Sequence, residues 1–151
     1  RDRTGSQDVI CKLESNIDDC SGEVLGYVME RLFEAGARDV HYMPVFMKKN
    51  RPAWQLNVIC GEEDIEKLEQ IIFRETTTIG IRRMKMERTV LRREERMVDT
   101  VFGQVQVKVC EARGVKRFYP EYESVARLAR ECQAPFSQVY QTVQKHCIDE
   151  L

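Results

Sequence analysis

At 151 residues and 42% hydrophobic side chains, the chain is long enough to bury one real core, so a single domain or a domain with a small appendage is expected. Charged residues make up 32% of it, yet 24 Lys and Arg against 25 Asp and Glu leave a net charge of -1, which excludes a global basic field for nucleic acid. No run approaches the roughly 18 apolar residues of a membrane helix, and residues 1–7 lack a signal-peptide stretch, so the chain reads as cytoplasmic, with no membrane and no nucleic-acid partner.

The opening "RDRTGSQDV" has no initiator methionine, which suggests a piece of a longer parent; residues 1–7 read as a flexible tail. From Asp8 to Glu14 the apolar side chains alternate, which predicts a strand, followed by a loop "ESNIDDCSG". Glu23 to Ala35 carries Val24, Leu25, Val28, Met29, Leu32 and Phe33 on one helical stripe, with Asp19 or Ser21 placed to cap its start and Gly36 its end. Val40 to Met47 and Trp54 to Cys60 are β-rich runs joined at "KKNRP", a hairpin. Glu62, Glu63 and Asp64 put negative charge at the positive end of a second helix, with Ile65, Leu68, Ile71 and Ile72 facing inward. From Ile79 onward Met84, Met86 and Val90 alternate with charged neighbours, a fourth strand on which Arg83 and Lys85 read as edge protection.

The order β-α-β-β-α-β is that of a ferredoxin-like sandwich, an α+β fold, spanning residues 8–93. Residues 94–151 read as an extension: a β-hairpin (Arg96 to Val101 and Gln104 to Cys110) and two short C-terminal helices, with Pro120 suiting the first turn of one and Pro135 opening the other. The six cysteines show no CxxC spacing and mostly sit in apolar periodic segments, which favours reduced core thiols over a disulfide framework or zinc site.

In such a sheet the loop after the first strand, the hairpin tip and the loop before the fourth strand emerge at one edge. Lys48, Lys49 and Arg51 could neutralise phosphate oxygens there, the arginine by a bidentate fork. Glu14, Asn16, Asp18 and Asp19 are hard oxygen donors of the kind Mg²⁺ or Mn²⁺ takes while bridging to phosphates. Thr76, Thr77 and Thr78 with Gly80 add hydroxyls and accessible backbone N–H groups. The pieces sketch a metal-nucleotide site. Each has a plainer reading: a helix cap, a solvated turn, a β-favouring strand entry.

The stretches "ESNIDDCSGEVLGYVMERLFEAGARDV", "PVFMKKNRPAWQLNVIC", "IIFRETTTIGIR" and "YPEYESVARLA" resemble the C-terminal domain of the LarC family, the nickel-insertion proteins that mature the nickel-pincer cofactor of lactate racemase. The resemblance runs from about Asp8 to Val143. It implies a CTP- and divalent-metal-binding, oligomerising domain of a CTP-dependent cyclometallase, a lyase that inserts Ni²⁺ into pyridinium-3,5-bisthiocarboxylic acid mononucleotide. The family's larger N-terminal portion is missing, so the domain would be incomplete as an enzyme. The resemblance also implies Arg74 and Arg82, in the block that matches FRETTTIGxR, as CTP-site residues beside Lys48, Lys49, Arg51 and the threonines, with Glu14, Asn16, Asp18 and Asp19 as the metal set. Tyr119 to Glu123 match a KPEYED-like segment, departing from it at Tyr119 and Ser124. Two readings of another class stand beside this one: a purely structural oligomerisation domain, and a helix-turn-helix in "ESVARLARECQAPFSQVYQTVQKH", against which the near-neutral charge speaks.

Overall fold

The computed structural model describes residues 5–151, with side chains from Asp8 onward. Residues 1–4 of the expected tail lie outside the described residues, and Gly5 already belongs to the first strand. The chain is mixed α+β and its described residues divide into two compact units, Gln7–Arg88 and, with Gly5 and Ser6 at the start of the first strand, Thr89–Leu151.

In the first unit β1 (Gly5–Ile17), α1 (Gly22–Glu34), β2 (Asp39–Met47), β3 (Arg51–Cys60), α2 (Ile65–Glu75) and the start of β4 (Arg82–Thr100) give the strand order β2-β3-β1-β4. β3 pairs antiparallel with both β1 and β2. Helix α1 forms where Leu25, Val28 and Leu32 recur at helical spacing, and all three are fully buried. Ser21 is its N-cap, accepting from the Val24 N–H at 3.3 Å. Gly36, at φ 105, lets the Ala37 N–H reach back to the Leu32 carbonyl at 3.0 Å and end it. Beneath the helices lie Cys11, Leu13 and Ile17 of β1 and Leu56, Val58 and Cys60 of β3, joined by Leu68 and Ile72 of α2. Burying each such large side chain contributes roughly 1.5–3 kcal/mol, which makes this core the positional reference for the loops at its edge.

The first strand is longer than its alternation predicts. Glu14, Ser15, Asn16 and Ile17 continue the ladder, opposite Asn57, Leu56, Gln55 and Trp54, instead of opening a loop. Polar residues hide the period there, but pairing with β3 enforces it.

The second unit holds the rest of β4, then β5 (Gly103–Ala112), β6 (Val115–Pro120), α3 (Tyr122–Glu131) and α4 (Phe136–Glu150), in the order β4-β5-β6, antiparallel throughout. Val105, Val107, Val109 and Phe118 pack with Val125, Leu128, Val139, Val143 and Cys147 in a separate core. Three sequence expectations change. What reads as a fourth strand and a separate hairpin arm is one 19-residue strand, β4. Residues 91–97 are all exposed, so burial supplies no period, yet β5 offers oppositely charged cross-strand neighbours, Arg92 with Glu111 and Glu95 with Lys108. Strand β6, absent from the sequence reading, takes Pro120 as its last residue, where a missing N–H costs little, so Pro120 is not in a helix; Glu121 precedes α3 instead. The closing helix is not short: α4 spans 15 residues.

Candidate functional site

The sequence-predicted loops meet at one edge of the first unit. The register Asn16 with Gln55 and Ile17 with Trp54 sets the end of β1 alongside the β3 residues that follow the hairpin tip. The chain then leaves β1 at Asp18. Arg51, first residue of β3, brings a guanidinium nitrogen to 3.6 Å from the Asp18 carboxylate, joining the acidic loop to the basic tip. The Thr77 hydroxyl donates to Asp19, joining the acidic loop to the threonine loop. Arg82, opening β4, donates to the Glu14 carboxylate at 3.3 Å.

At the tip, Lys48 to Asn50 form a single tight turn in which Lys49 (φ 61) and Asn50 (φ 58) adopt the left-handed conformation. A left-handed lysine is uncommon, because its Cβ crowds the following carbonyl. Lys48 and Lys49 are exposed and form no ion pair within 4 Å among the described residues. Arg51 and Arg82 face Asp18 and Glu14, so the unpaired positive charge of this edge sits on the two lysines.

The three threonines behave differently. Thr76 ends α2, its hydroxyl donating to the Ile72 carbonyl at 2.7 Å and accepting from the Thr78 N–H at 3.3 Å. Thr78 donates to the Gly80 carbonyl. Only Thr77 reaches out of its own loop. Arg74 is not brought in: it is largely exposed, and its ion-pair partner is the adjacent Glu75 at 3.8 Å. Arg83 and Lys85 reach back to α2 and its leading turn, Arg83 gripping Glu69 through two nitrogens and Lys85 meeting Glu62 at 2.5 Å. Their role is to tie strand to helix. Hydrogen bonding to Glu69 and Glu62 strengthens their hold on the proton.

The four proposed metal-binding groups each have a different protein partner: Glu14 has Arg82, Asn16 accepts from Gln55 at 3.1 Å, Asp18 has Arg51 and Asp19 has Thr77. Among the described residues no three of His, Cys, Asp and Glu converge into a metal cage. A cation held here would therefore draw on one or two of these carboxylates at most. Burial and the Asp19 charge push the Cys20 thiol up, so it stays protonated and is a poor ligand.

Sequence reading missed a polar chain on the helix-free face. Gln55 and Asn57 alternate with the core residues Trp54, Leu56 and Val58, so they share the face of Glu14 and Asn16. The Asn57 amide donates to the Gln55 side-chain oxygen at 3.3 Å, and Gln55 donates to Asn16. Asn57 is fully buried, and among the described residues its side-chain oxygen has no hydrogen-bond partner, nor has the buried Ser15 hydroxyl on the opposite face. The signal was present: polar residues two apart within the apolar run "WQLNVIC". The Tyr119 to Glu123 segment lies in the second unit and makes local contacts there, the Glu121 N–H with the Gln106 carbonyl and Ser124 with Glu121.

Comparison with known proteins gives a consistent picture. A family model described as "Nickel insertion protein" matches residues 1–140. The chain is 54% identical over 133 residues to a pyridinium-3,5-bisthiocarboxylic acid mononucleotide nickel insertion protein of Alkaliphilus metalliredigens, covering 88% of this chain and 32% of the relative. It is 51% identical over 138 residues to the protein of that name from Acetivibrio thermocellus, covering 91% and 34%. The chain thus spans about a third of the length of these curated relatives. Among solved structures it is similar to the apo form of LarC2, described as the C-terminal domain of a cyclometallase involved in synthesis of the NPN cofactor of lactate racemase, with TM-score 0.84, 43% identity, and 91% and 96% of the two chains covered. Among the described residues no helix is long and apolar enough to cross a membrane.

Proposed function

The chain belongs to the nickel insertion protein family, and from that premise we propose that it binds CTP with Mg²⁺ or Mn²⁺ at the edge where its acidic, lysine-rich and threonine-rich loops meet. Lys48 and Lys49 neutralise the triphosphate, and Arg51, Arg82 and Thr77 orient it. Asp18 and Asp19 supply the carboxylates for a phosphate-bound divalent cation; Glu14 and Asn16 stand behind them. When bound, the cation withdraws charge from the phosphate oxygens. The observation that carries this reading is the pair of bridges from one acidic loop, Asp18 to Arg51 and Asp19 to Thr77, beside two lysines without counter-ions.

In the full-length protein this domain serves CTP-dependent insertion of Ni²⁺ into pyridinium-3,5-bisthiocarboxylic acid mononucleotide, a lyase-type cyclometallation, with nickel as substrate. The order β2-β3-β1-β4 with two crossover helices supports a ferredoxin-like reading of the first unit, and residues 94–151 as its extension. Six free thiols support a cytoplasmic setting. Self-association is part of the proposal: Phe46 and Ile79, 75% and 99% exposed, flank the tip and the threonine loop and would be sheltered by another subunit.

That same exposed pair favours the second reading, a purely structural oligomerisation domain without its own nucleotide site. Calorimetric titration of the chain with CTP, with and without Mg²⁺ or Mn²⁺, separates the two. Saturable CTP binding that strengthens with the metal is expected; absence of binding at millimolar CTP with metal leaves the structural reading.

A further inference from the structure

Strands β4, β5 and β6 carry two neighbouring rows with a cation at each end, one row on each face of their sheet, and only one of them is closed by the chain itself. On the face whose Val105, Val107 and Val109 pack with α3 and α4, Arg92 stands opposite Glu111 and Glu111 opposite Lys116, so a carboxylate lies between the two cations. The next row falls on the helix-free face: Arg93 stands opposite Cys110, and Cys110 opposite Arg117. Its middle place holds a small neutral thiol.

Cys110 and Ala112 are short and half-buried, while Arg93 and Arg117 rise on either side of them from strands about 10 Å apart, two strand spacings. The end of β5 thus floors a trough walled by two guanidinium groups. Both arginines are exposed, and neither has a side-chain hydrogen bond or ion pair among the described residues. The nearest carboxylate on this face is Glu95, which stands opposite Lys108, whose charge offsets it, and accepts from Gln106 at 3.1 Å. Asp99, the next one, lies six residues from Arg93 along β4, about 20 Å away. Two guanidinium charges therefore remain unmet. They repel each other across the row, and an anion between them relieves that repulsion.

We propose that this trough binds a phosphomonoester dianion, the terminal phosphate of a small phosphorylated molecule, between Arg93 and Arg117. Planar forks on both sides match the edges of a tetrahedral phosphate, and two negative charges meet two positive ones. A phosphodiester, with one charge per phosphate, would leave half of them unmet. On the same face Val115 and Tyr119, 60% and 43% exposed, flank Arg117 along β6 and offer apolar surface to the rest of the ligand.

The test is titration of the isotope-labelled 151-residue chain, followed by amide NMR shifts at constant ionic strength, with ribose 5-phosphate as probe and with inorganic phosphate, dimethyl phosphate and a short single-stranded DNA as comparisons. A Lys48→Ala/Lys49→Ala background removes the tip lysines of the first unit, so failure of the CTP reading does not disturb the result. Saturable binding of ribose 5-phosphate is expected, with shifts centred on Arg93, Cys110 and Arg117 and with dimethyl phosphate bound more weakly. Arg93→Ala/Arg117→Ala should weaken it at least about tenfold, while Arg92→Ala/Lys116→Ala, on the other face, should leave it unchanged. Cys110→Glu, which gives this row the carboxylate that Glu111 supplies on the other face, should abolish binding in a chain that still melts cooperatively; were that variant unfolded, the two alanine pairs decide. Affinity should rise between about pH 5 and 7.5, as a phosphomonoester gains its second charge near pH 6. No saturable binding at millimolar probe, equal loss in the two alanine pairs, dimethyl phosphate bound as tightly as ribose 5-phosphate, or tighter binding of inorganic phosphate or of the DNA would each overturn the proposal.

Discussion

Two hairpins in this chain turn on consecutive residues with positive φ, and they meet the same steric demand with different residues. Between β5 and β6 the turn is Arg113 (φ 51) and Gly114 (φ 78), with glycine at one of the two demanding positions. Between β2 and β3 it is Lys49 (φ 61) and Asn50 (φ 58), with no glycine. Asparagine tolerates the left-handed region; lysine tolerates it poorly, at roughly 1–2 kcal/mol. Both turns thus hold a long cation in the left-handed region, Arg113 in one and Lys49 in the other, and they differ in the second residue, glycine against asparagine, and in their surroundings: only Lys49 lies next to the acidic loop that Arg51 and Thr77 gather.

That contrast can be broken, most sharply through binding. Lys48→Ala/Lys49→Ala should weaken CTP binding with Mg²⁺ by about ten- to a hundredfold for each charge-assisted hydrogen bond removed, with the melting temperature unchanged, whereas Arg113→Ala should leave CTP affinity as it was. Calorimetry on both variants checks this, and equal effects would erase the distinction between the hairpins. Next in size, Gly114→Ala should cost about 1–2 kcal/mol, seen as a fall in melting temperature of roughly 2–4 °C per kcal/mol for a chain of this size. An added Cβ there has nothing within 4 Å, so the backbone alone carries the cost. Smaller and of opposite sign, Lys49→Gly should raise stability by about 0.5–1 kcal/mol in denaturant unfolding while it weakens CTP binding; a fall in stability would show that the lysine is unstrained. Smallest, Arg113→Asn should raise stability by only a few tenths of a kcal/mol, seen as a slightly higher unfolding midpoint, because asparagine enters the left-handed region more readily than arginine.

Periodicity made the first unit legible. Leu25, Val28 and Leu32 announced α1, Leu68 and Ile72 announced α2, and the β-rich runs around "KKNRP" announced the hairpin, because each buries one face against a single core. Chain direction then carried the meeting of three loops at one edge, a purely geometric consequence. The second unit was harder to read for a physical reason: from Leu91 to Met97 β4 buries nothing, so cross-strand pairing rather than burial defines it there, and the first half of β6, Val115 to Arg117, is exposed, leaving only Phe118 and Pro120 buried. Within the candidate site, contacts between side chains were not legible. That Thr76 and Thr78 close on their own loop while Thr77 reaches Asp19, and that Arg74 stays out, depends on rotamers and the exact end of α2.

The 19-residue strand β4 has a consequence for how the protein is made. Its residues fall in both units, and once Arg88 has left the ribosome the strand's second half must wait for β5. At about 5–20 residues per second, synthesis of the 26 residues from Thr89 to the end of β5 and its turn at Gly114 takes about one to five seconds, against microseconds for closing a hairpin. During that interval a dozen extended residues offer an open ladder to any neighbouring nascent chain. Arg92, Arg93, Glu94, Glu95 and Arg96 fill its middle, and a strand so dense in charge is a poor template for stray pairing. The feature that blurred the strand's period is thus what would keep the half-made protein from sticking to its neighbours on the polysome.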